Sequence, residues 1–397
     1  MLQSNQTTEK YIKTAMIYLD HQSTTRPFEE VLSAMAPFFG AEFGNPHSND
    51  HWVGWRSNEA LEKSRISVAE FLNVPKFEII FTSGATESNN QAILGFKNIF
   101  FEQDEKISVS AIEHKCVLEA AAEKSKSLGT ELVEISVNEF GGFDEESLVK
   151  ALKEGAKLCS IMFANNEIGT VNDIELASKL CKEFGAILHC DAAQAGLYFD
   201  LSNLSEYADL ISVSAHKIGG PMGVGALYIS QEIRHLIEPI IRGGGQEGGL
   251  RSGTVALPLA VGFGAACEKL SEGCSSQRAS VVSDTRDYLA SRLLSLDDTF
   301  KINGPNLKDR HPANLNMCFR NYDAQMLLSN MQPNVAASQG SACSSGFEEP
   351  SYVLRKVGLS DNDAKSSVRF SVGLETTKSD IDEALVHIKT ALERSIL

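Results

Sequence analysis

The chain has 397 residues, with 36 Lys and Arg against 52 Asp and Glu, for a formal net charge of −16. Hydrophobic residues make up 43% and charged residues 22%, a globular composition with ample chain for a sizeable core and room for two or three domains. The negative balance argues against a sequence-independent nucleic-acid binder, which needs a basic footprint, but leaves room for a pocket around one small anion.

No segment reads as a membrane span. The longest apolar stretch, 256–267, has 12 residues and two glycines, whereas a span needs roughly 18 or more. Residues 1–16 have no continuous apolar core and no small-residue cleavage site, so no signal peptide is expected. None of the eight cysteines has CxxC spacing and several lie in apolar runs, which suits a reducing compartment. The expected location is the cytoplasm.

In chain order, 77–84 reads as a strand ending in a glycine turn. Residues 85–100 read as a helix with Ile93, Phe96 and Phe100 on one face. Further strands are expected over 106–114, 158–166, 186–194 and 209–217, with helices such as 174–185 between them. Apolar strands separated by helices predict an α/β fold with a mostly parallel sheet covered on both faces. Ligands bind at the carboxyl ends of such strands. The polar clusters fall there: Thr82 to Thr86, Glu113-His114, Asn165 to Glu167, Asp191 with Gln194, and Ser214 to Lys217. Five clusters in register predict a single site on one edge of one sheet.

After about residue 270 the texture changes. Residues 271–277 read as a hinge, and 311–320 and 365–373 as strands. The last element, 379–397, opens with Ser379 and Asp382 as a capping box and places Ile381, Leu385, Ile388 and Leu392 on one stripe. The expected division is a large domain over 27–270, with 1–26 and 271–397 forming a smaller α+β domain.

Several residues carry candidate chemistry. Lys217 follows an apolar strand and precedes a glycine-rich turn. It is either a surface lysine or an amine in a desolvated pocket, where loss of charge activates it for Schiff-base chemistry. Ser214-x-x-Lys217 with Ser360-Asp361-Asn362 also matches a penicillin-binding pattern, but no Lys-Thr-Gly follows and the serine sits in a strand. Asp191 is either a helix N-cap or a buried partner for a protonated pyridine nitrogen, and Gln194 is within reach of a ring oxygen. Residues 83–86 join a strand to a helix, so they form a simple cap or a phosphate cup that Ser214 and His216 complete. Residues 243–248 fit G-x-G-x-x-G, but the preceding stretch contains Pro239 and no βαβ unit surrounds it, which excludes a dinucleotide loop. Cys343 sits in the Gly/Ser-rich stretch 338–350, unlike the other seven cysteines; it is either an incidental loop cysteine or an accessible reactive thiol, the candidate nucleophile. Arg369, among apolar strand residues, should meet a carboxylate of either the protein or a substrate. No His/Cys spacing suits a structural metal.

Together FTSGATESNN, EHKCVLEA, NNEIG, HCDAAQ, SAHK, GGGQE…RSGT, GSAC and EPSYVLR occur in the order seen in NifS/IscS-type cysteine desulfurases, fold type I pyridoxal-phosphate enzymes of the class-V aminotransferase group. The chain resembles this family from Tyr18 to about Gly373. The resemblance implies pyridoxal 5'-phosphate as cofactor, held covalently by Lys217. It further implies that His114 stacks on the ring, that Asp191 pairs with the ring nitrogen, and that Gln194 bonds the ring oxygen. Ala85, Thr86, Ser214 and His216 would bind the phosphate, joined by Thr254 from the other subunit of a homodimer. Asn166 and Arg369 would hold the substrate carboxylate, and Cys343 would be the nucleophile on a mobile loop. The implied substrate is L-cysteine and the implied partner a sulfur-acceptor protein serving iron–sulfur cluster assembly or another thiolation pathway. Met222 and Gly248 stand where members commonly have Lys and Arg. A class-V transaminase, a selenocysteine lyase and a sulfur-relay subunit are the competing readings.

Overall fold

A computed structural model describes residues 16–98, 105–340 and 350–395. Its strands are β1 (Ile17–Tyr18), β2 (Ile79–Thr82), β3 (Lys106–Ser110), β4 (Leu132–Ile135), β5 (Ala156–Ser160), β6 (Ile187–Asp191), β7 (Leu210–Ser214), β8 (Gly225–Ile229), β9 (Lys301–Ile302), β10 (Asn314–Cys318), β11 (Val335–Ala336) and β12 (Ser367–Ser371). Two compact units divide the chain. One comprises Thr24–Asn166 and Thr170–Ala279, the other Met1–Ser23, Glu167–Gly169 and Ser280–Leu397. The boundary at 279/280 lies inside the helix Ser275–Leu294, beyond the expected hinge at 271–277.

The first unit holds a seven-stranded sheet in the order β2-β8-β7-β6-β5-β3-β4. Neighbouring strands from β4 to β7 run parallel, and β8 is antiparallel to both β7 and β2. Since β8 reverses direction twice over, β2 points the same way as the parallel set. Strands β2, β6, β7 and β8 are buried at every position, as continuous apolar runs in a sheet covered on both faces should be.

The expected strands exist but are shorter. Those predicted over 106–114, 186–194 and 209–217 stop at Ser110, Asp191 and Ser214, and the one expected over 158–166 spans Ala156–Ser160. Their polar tails leave the ladder and become loops beyond the strand ends. The helix expected over 85–100 ends at Leu94. Gly95 follows it, and Lys124 reaches in from the helix Lys115–Leu128 to donate to the carbonyls of Leu94 and Phe96 and to Asn98 Oδ1. A cation there satisfies carbonyls that a helix end leaves open. Ile93 and Phe96 are fully buried in the core with Ile107, Val109 and Val117, while Phe100 lies outside the described residues.

In the second unit, β12-β10-β9 form an antiparallel sheet and β1 pairs with β11 in parallel. Phe319 anchors its core, edge-on to Phe300 at 4.8 Å and to Phe370 at 6.1 Å. The helix Lys378–Leu392 buries Ile381, Leu385, Ile388 and Leu392, the stripe read from the sequence. Its capping box is a correction: Thr377 and Asp380 form it, not Ser379 and Asp382. Thr377 has extended backbone angles, as an N-cap must, whereas Ser379 is already inside the helix. No helix among the described residues is long and apolar enough to cross a membrane.

One polar ladder crosses the large sheet. His189 on β6 is fully buried, with Nδ1 2.8 Å from Ser160 Oγ on β5 and Nε2 3.1 Å from Ser212 Oγ on β7. Burial pushes its imidazole down to about 4, from an ordinary 6.5. The folded state therefore favours the neutral ring, and the unfolded chain takes up the proton first as pH falls. His189 should contribute full stability above about pH 6.5 and lose it progressively toward pH 4. Urea unfolding of the wild type and of His189→Gln, compared at each pH so that other groups cancel, should show this loss in the wild type alone. A parallel pH dependence in both proteins overturns it.

Candidate active site

Because β2, β3, β5, β6 and β7 point the same way, their carboxyl ends share one edge of the sheet. Beyond them lie the turn at 83–86, Glu113 and His114, Asn165 and Asn166, Asp191 with Gln194, and Ser214 to Lys217. The closest approach is at Gly225, which opens β8 beside Thr82 and Ser214. A Cβ on Gly225 would sit 2.5 Å from the Val213 carbonyl oxygen and 2.7 Å from Gly84 Cα. Only glycine lets the β2 turn close against β8 here.

The turn itself is an anion cradle in outline. Gly84 has φ 144, and no side chain caps the helix Ala85–Leu94 that follows. The N–H groups of the first turn, at Ala85 and Thr86, are thus not taken by a capping side chain, and helix N-termini attract anions. A Cβ built on Gly84 would lie 3.8 Å from Ser214 Oγ, so that hydroxyl faces the same turn. Glu87, in the same first turn, accepts from the Ser83 N–H at 2.9 Å and pairs with Arg251 at 2.7 Å.

Asp191, the last residue of β6, is buried, and its oxygens meet neutral donors: Asn89 Nδ2 at 2.7 Å and the Ala193 N–H at 2.9 Å. A buried carboxyl group met by neutral donors suits a cationic ring nitrogen. Glu113 is fully buried and accepts from the Met162 N–H at 2.5 Å. Burial, and then the nearby Asp191, push its carboxyl well above the usual range. His114 caps the helix Lys115–Leu128, its Nδ1 accepting from the Cys116 N–H at 3.3 Å. Burial and the charges of Lys217 and Lys115 hold its pKa down, against the pull of Asp191.

Strand β7 ends at Ser214, and Ala215–Lys217 form one 3-10 turn. Lys217 therefore sits just past the strand end rather than in the strand. His216 lies beside it, 3.2 Å from Thr24 Oγ1, with its imidazole pushed to about 4 by burial and by the Lys217 charge. Gln194 and Asn166 are half-buried on loops after β6 and β5, and Thr86 and Thr254 are exposed. This donor set fits pyridoxal phosphate: a cradle for the phosphate, a buried acid for the ring nitrogen, an amine on a tight turn and an imidazole at a helix start. The sheet edge brings Ala85, Thr86, His114, Asn166, Asp191, Gln194, Ser214, His216 and Lys217 onto the same rim. Cys343 lies outside the described residues. Among the described residues, no group of three or more His, Cys, Asp or Glu could hold a metal ion.

The second unit carries Arg369, nearly fully buried on β12. Its Nη2 is 2.6 Å from Asp20 Oδ1, which also accepts from Ser338 Oγ at 3.2 Å, and its Nη1 donates to the Gly340 carbonyl at 3.4 Å. The protein carboxylate that Arg369 meets is thus Asp20. Sequence reasoning missed Asp20 and also Asn89, Cys116 and Glu87. Each looks ordinary in its own element and gains its place only through a partner distant in sequence.

The profile of the class-V aminotransferases matches residues 17–384. The chain belongs to this family. Its similarity extends to the NifS/IscS-type cysteine desulfurases, which are pyridoxal-phosphate enzymes. A probable mitochondrial cysteine desulfurase of Dictyostelium discoideum is 42% identical over 384 residues, covering 95% of this chain and 83% of that protein. A cysteine desulfurase IscS of Rickettsia typhi is 39% identical over 383 residues, covering 96% and 92%. Among solved structures, a NifS-like protein aligns with a TM-score of 0.88 at 33% identity, covering 96% of this chain and all of that one. The structure titled SspA in complex with cysteine aligns at 0.78 and 31%, covering 91% and 99%.

The glycine-rich loop at 243–248 is a pinned loop rather than a nucleotide cradle. Glu247, with φ 53, is buried and accepts from Arg65 Nη1 and Nη2, both at 2.7 Å, and from the Phe81 N–H at 2.7 Å. Gly248 follows with φ 65, a left-handed conformation that glycine adopts without strain. Removing one partner of a buried ion pair leaves an uncompensated charge, at a cost of about 3–5 kcal/mol. Arg65→Met should therefore lower the thermal midpoint far more than Arg56→Met, whose pair with Glu42 is exposed. Equal midpoints for the two variants would show that the Glu247 anchor carries little.

Proposed function

We propose that this chain converts L-cysteine to L-alanine, leaving sulfur on Cys343 as a persulfide that passes to an acceptor protein. The observation that carries the proposal is the single sheet edge where Asp191, His114, Ser214 and Lys217 meet the cradle at 84–86. The roughly 40% identity to cysteine desulfurases over most of the chain supports the substrate.

Pyridoxal phosphate supplies a carbonyl for the substrate amine and a ring that withdraws electrons from the adjacent carbon. Ala85 and Thr86 N–H groups, with the Ser214 hydroxyl and His216, would bind its phosphate. Asp191, oriented by Asn89 and Ala193, would keep its ring nitrogen protonated, and Gln194 would bond its ring oxygen. Lys217 would hold the cofactor at rest, and its free amine would take the Cα proton as general base. Asn166 and Arg369 bind the substrate carboxylate, with Asp20 fixing the direction of the guanidinium. The Cys343 thiolate attacks the substrate sulfur. A sulfur–sulfur bond forms, the carbon–sulfur bond breaks, the proton given up by the Cys343 thiol ends on the β-carbon, which becomes the methyl group, and Lys217 returns its proton to Cα, giving alanine. His114, held toward its neutral form, lies on the same rim.

Two further parts of the proposal are assembly and setting. Phe39, Phe43, Trp52 and Trp55 are exposed within one stretch of the chain. A homodimer that covers them and lends Thr254 to the partner's phosphate site is the arrangement proposed. The proposed compartment is the cytoplasm, whose reducing conditions suit seven free thiols among the described residues. Iron–sulfur assembly is the proposed destination of the sulfur.

Supplied with pyridoxal phosphate, the purified protein should gain visible absorbance, and L-cysteine with a thiol reductant should yield equal alanine and sulfide. Cys343→Ala should keep the absorbance and lose sulfide release by at least about a hundredfold, on the scale expected for removing a nucleophile. Loss of absorbance in that variant would mean the role of Cys343 is misplaced. In Lys217→Ala, borohydride should fix no cofactor on the chain; an adduct on another lysine overturns that assignment. Light scattering should give the mass of two chains, and the double variant Phe43→Asp/Trp52→Asp should shift it to one. A monomeric wild type overturns the dimer.

A further inference from the structure

His114 lies at the start of the helix Lys115–Leu128 and is its N-cap, with φ −61 and ψ 144. The group that does the capping is a ring nitrogen, Nδ1, which accepts the Cys116 backbone N–H at 3.3 Å. A backbone N–H only donates, so in this geometry Nδ1 must present a lone pair. The same Nδ1 lies 3.0 Å from Cys116 Sγ. That sulfur in turn accepts from Asn89 Nδ2 at 3.2 Å, and the other hydrogen of the amide goes to Asp191 Oδ2 at 2.7 Å. The amide orientation is fixed by the carboxyl group, since a flipped amide would face it oxygen to oxygen. The Thr86 side chain also hydrogen-bonds the sulfur and, like Asn89, pulls the thiol pKa down, as a donor does; with both donating to the sulfur, the thiol hydrogen is directed to Nδ1. Burial, together with Asp191, pushes the Cys116 thiol up to about 12, so it keeps that hydrogen.

We propose that Cys116 is a positioning residue that gives two donors, its backbone N–H and its thiol, to His114 Nδ1, fixing the neutral ring as the Nε2–H tautomer and leaving Nε2–H as the hydrogen-bond donor that His114 turns toward the site. The proposal rests on the reading of His114 as part of the active site, acting as the neutral ring. Protonating the ring would place its second hydrogen on Nδ1, against both donors, so the arrangement disfavours the imidazolium. Around the ring, the charges of Lys217 and Lys115 act in the same direction and Asp191 opposes them, while burial pushes the carboxyl of the neighbouring Glu113 well above its ordinary range. The Asn89 amide links the two halves of the site: one residue orients both the acid for the ring nitrogen and, through Cys116, the imidazole.

The test begins with the wild-type holoenzyme labelled with 15N. Long-range 1H–15N correlation spectra distinguish the two neutral imidazole tautomers, and the His114 signals are those lost in His114→Asn. Hydrogen on Nε2 and a lone pair on Nδ1 are expected; hydrogen on Nδ1 overturns the proposal without any Cys116 variant. Cys116→Ala should then raise the acid-limb pKa of kcat/KM by about half a unit to one unit, because one donor to Nδ1 is lost. Cys116→Ser, which keeps a donor, should restore the wild-type limb. An unchanged limb in a folded Cys116→Ala protein also overturns it. If the spectra show the expected tautomer but the wild type makes no alanine from cysteine, the functional reading fails and the tautomer assignment stands.

Discussion

The common direction of five strands is the constraint on which the candidate active site depends. A parallel sheet needs long crossovers, and each crossover here returns the chain to the same starting edge. Every strand from β3 to β7 that bears a polar tail therefore delivers it to one rim. The antiparallel β8 adds to this by inserting between β7 and β2, so that the turn after β2 reaches the rim as well. No single side chain builds the site. Backbone direction does, and the side chains are its passengers.

At that rim the electrostatics are sorted by burial. Asp191 and Glu113 are two buried acids near one another, and the cost of burying both as anions is avoided because Glu113 is pushed toward its neutral form. His189, His216 and His114 are all held toward their neutral forms, by burial first in each case. Lys217 contributes to this at His216 and His114. A cofactor with a cationic ring nitrogen and an anionic phosphate meets a pocket whose imidazoles do not compete for the acid. The hydrogen bonds of Asn89 and Cys116 then decide how the acid and the nearest imidazole are turned.

Around the rim, ion pairs hold loops rather than elements. Arg65 and Glu247 pin the glycine-rich loop from below, and Arg251 and Glu87 tie its far end to the helix whose first turn forms the cradle. In the second unit, Asp20 and Ser338 hold Arg369 beside the Gly340 carbonyl. Loops that carry chemistry must keep one shape, and buried bidentate pairs give directional restraint even where their net stabilisation is small.

Much of this was legible from residue order. Apolar runs of strand length, broken by helical periodicity, pointed to a covered parallel sheet, and the polar residues closing those runs put the candidates Asp191, His114, Ser214 and Lys217 on one edge of it. Motif order added the family and its cofactor. Local chemistry was less legible at the ends. The Phe96 segment left the helix at Gly95 because Lys124, distant in sequence, takes its carbonyls, and the final helix starts at Lys378 because the extended Thr377 caps it. What the tertiary structure alone decided is pairing across long separations: Asn89 to Asp191, Arg65 to Glu247, Asp20 to Arg369. A sequence records which side chains are charged or polar, but a hydrogen bond depends on distance and angle, and those exist only once the chain has brought its strand ends together.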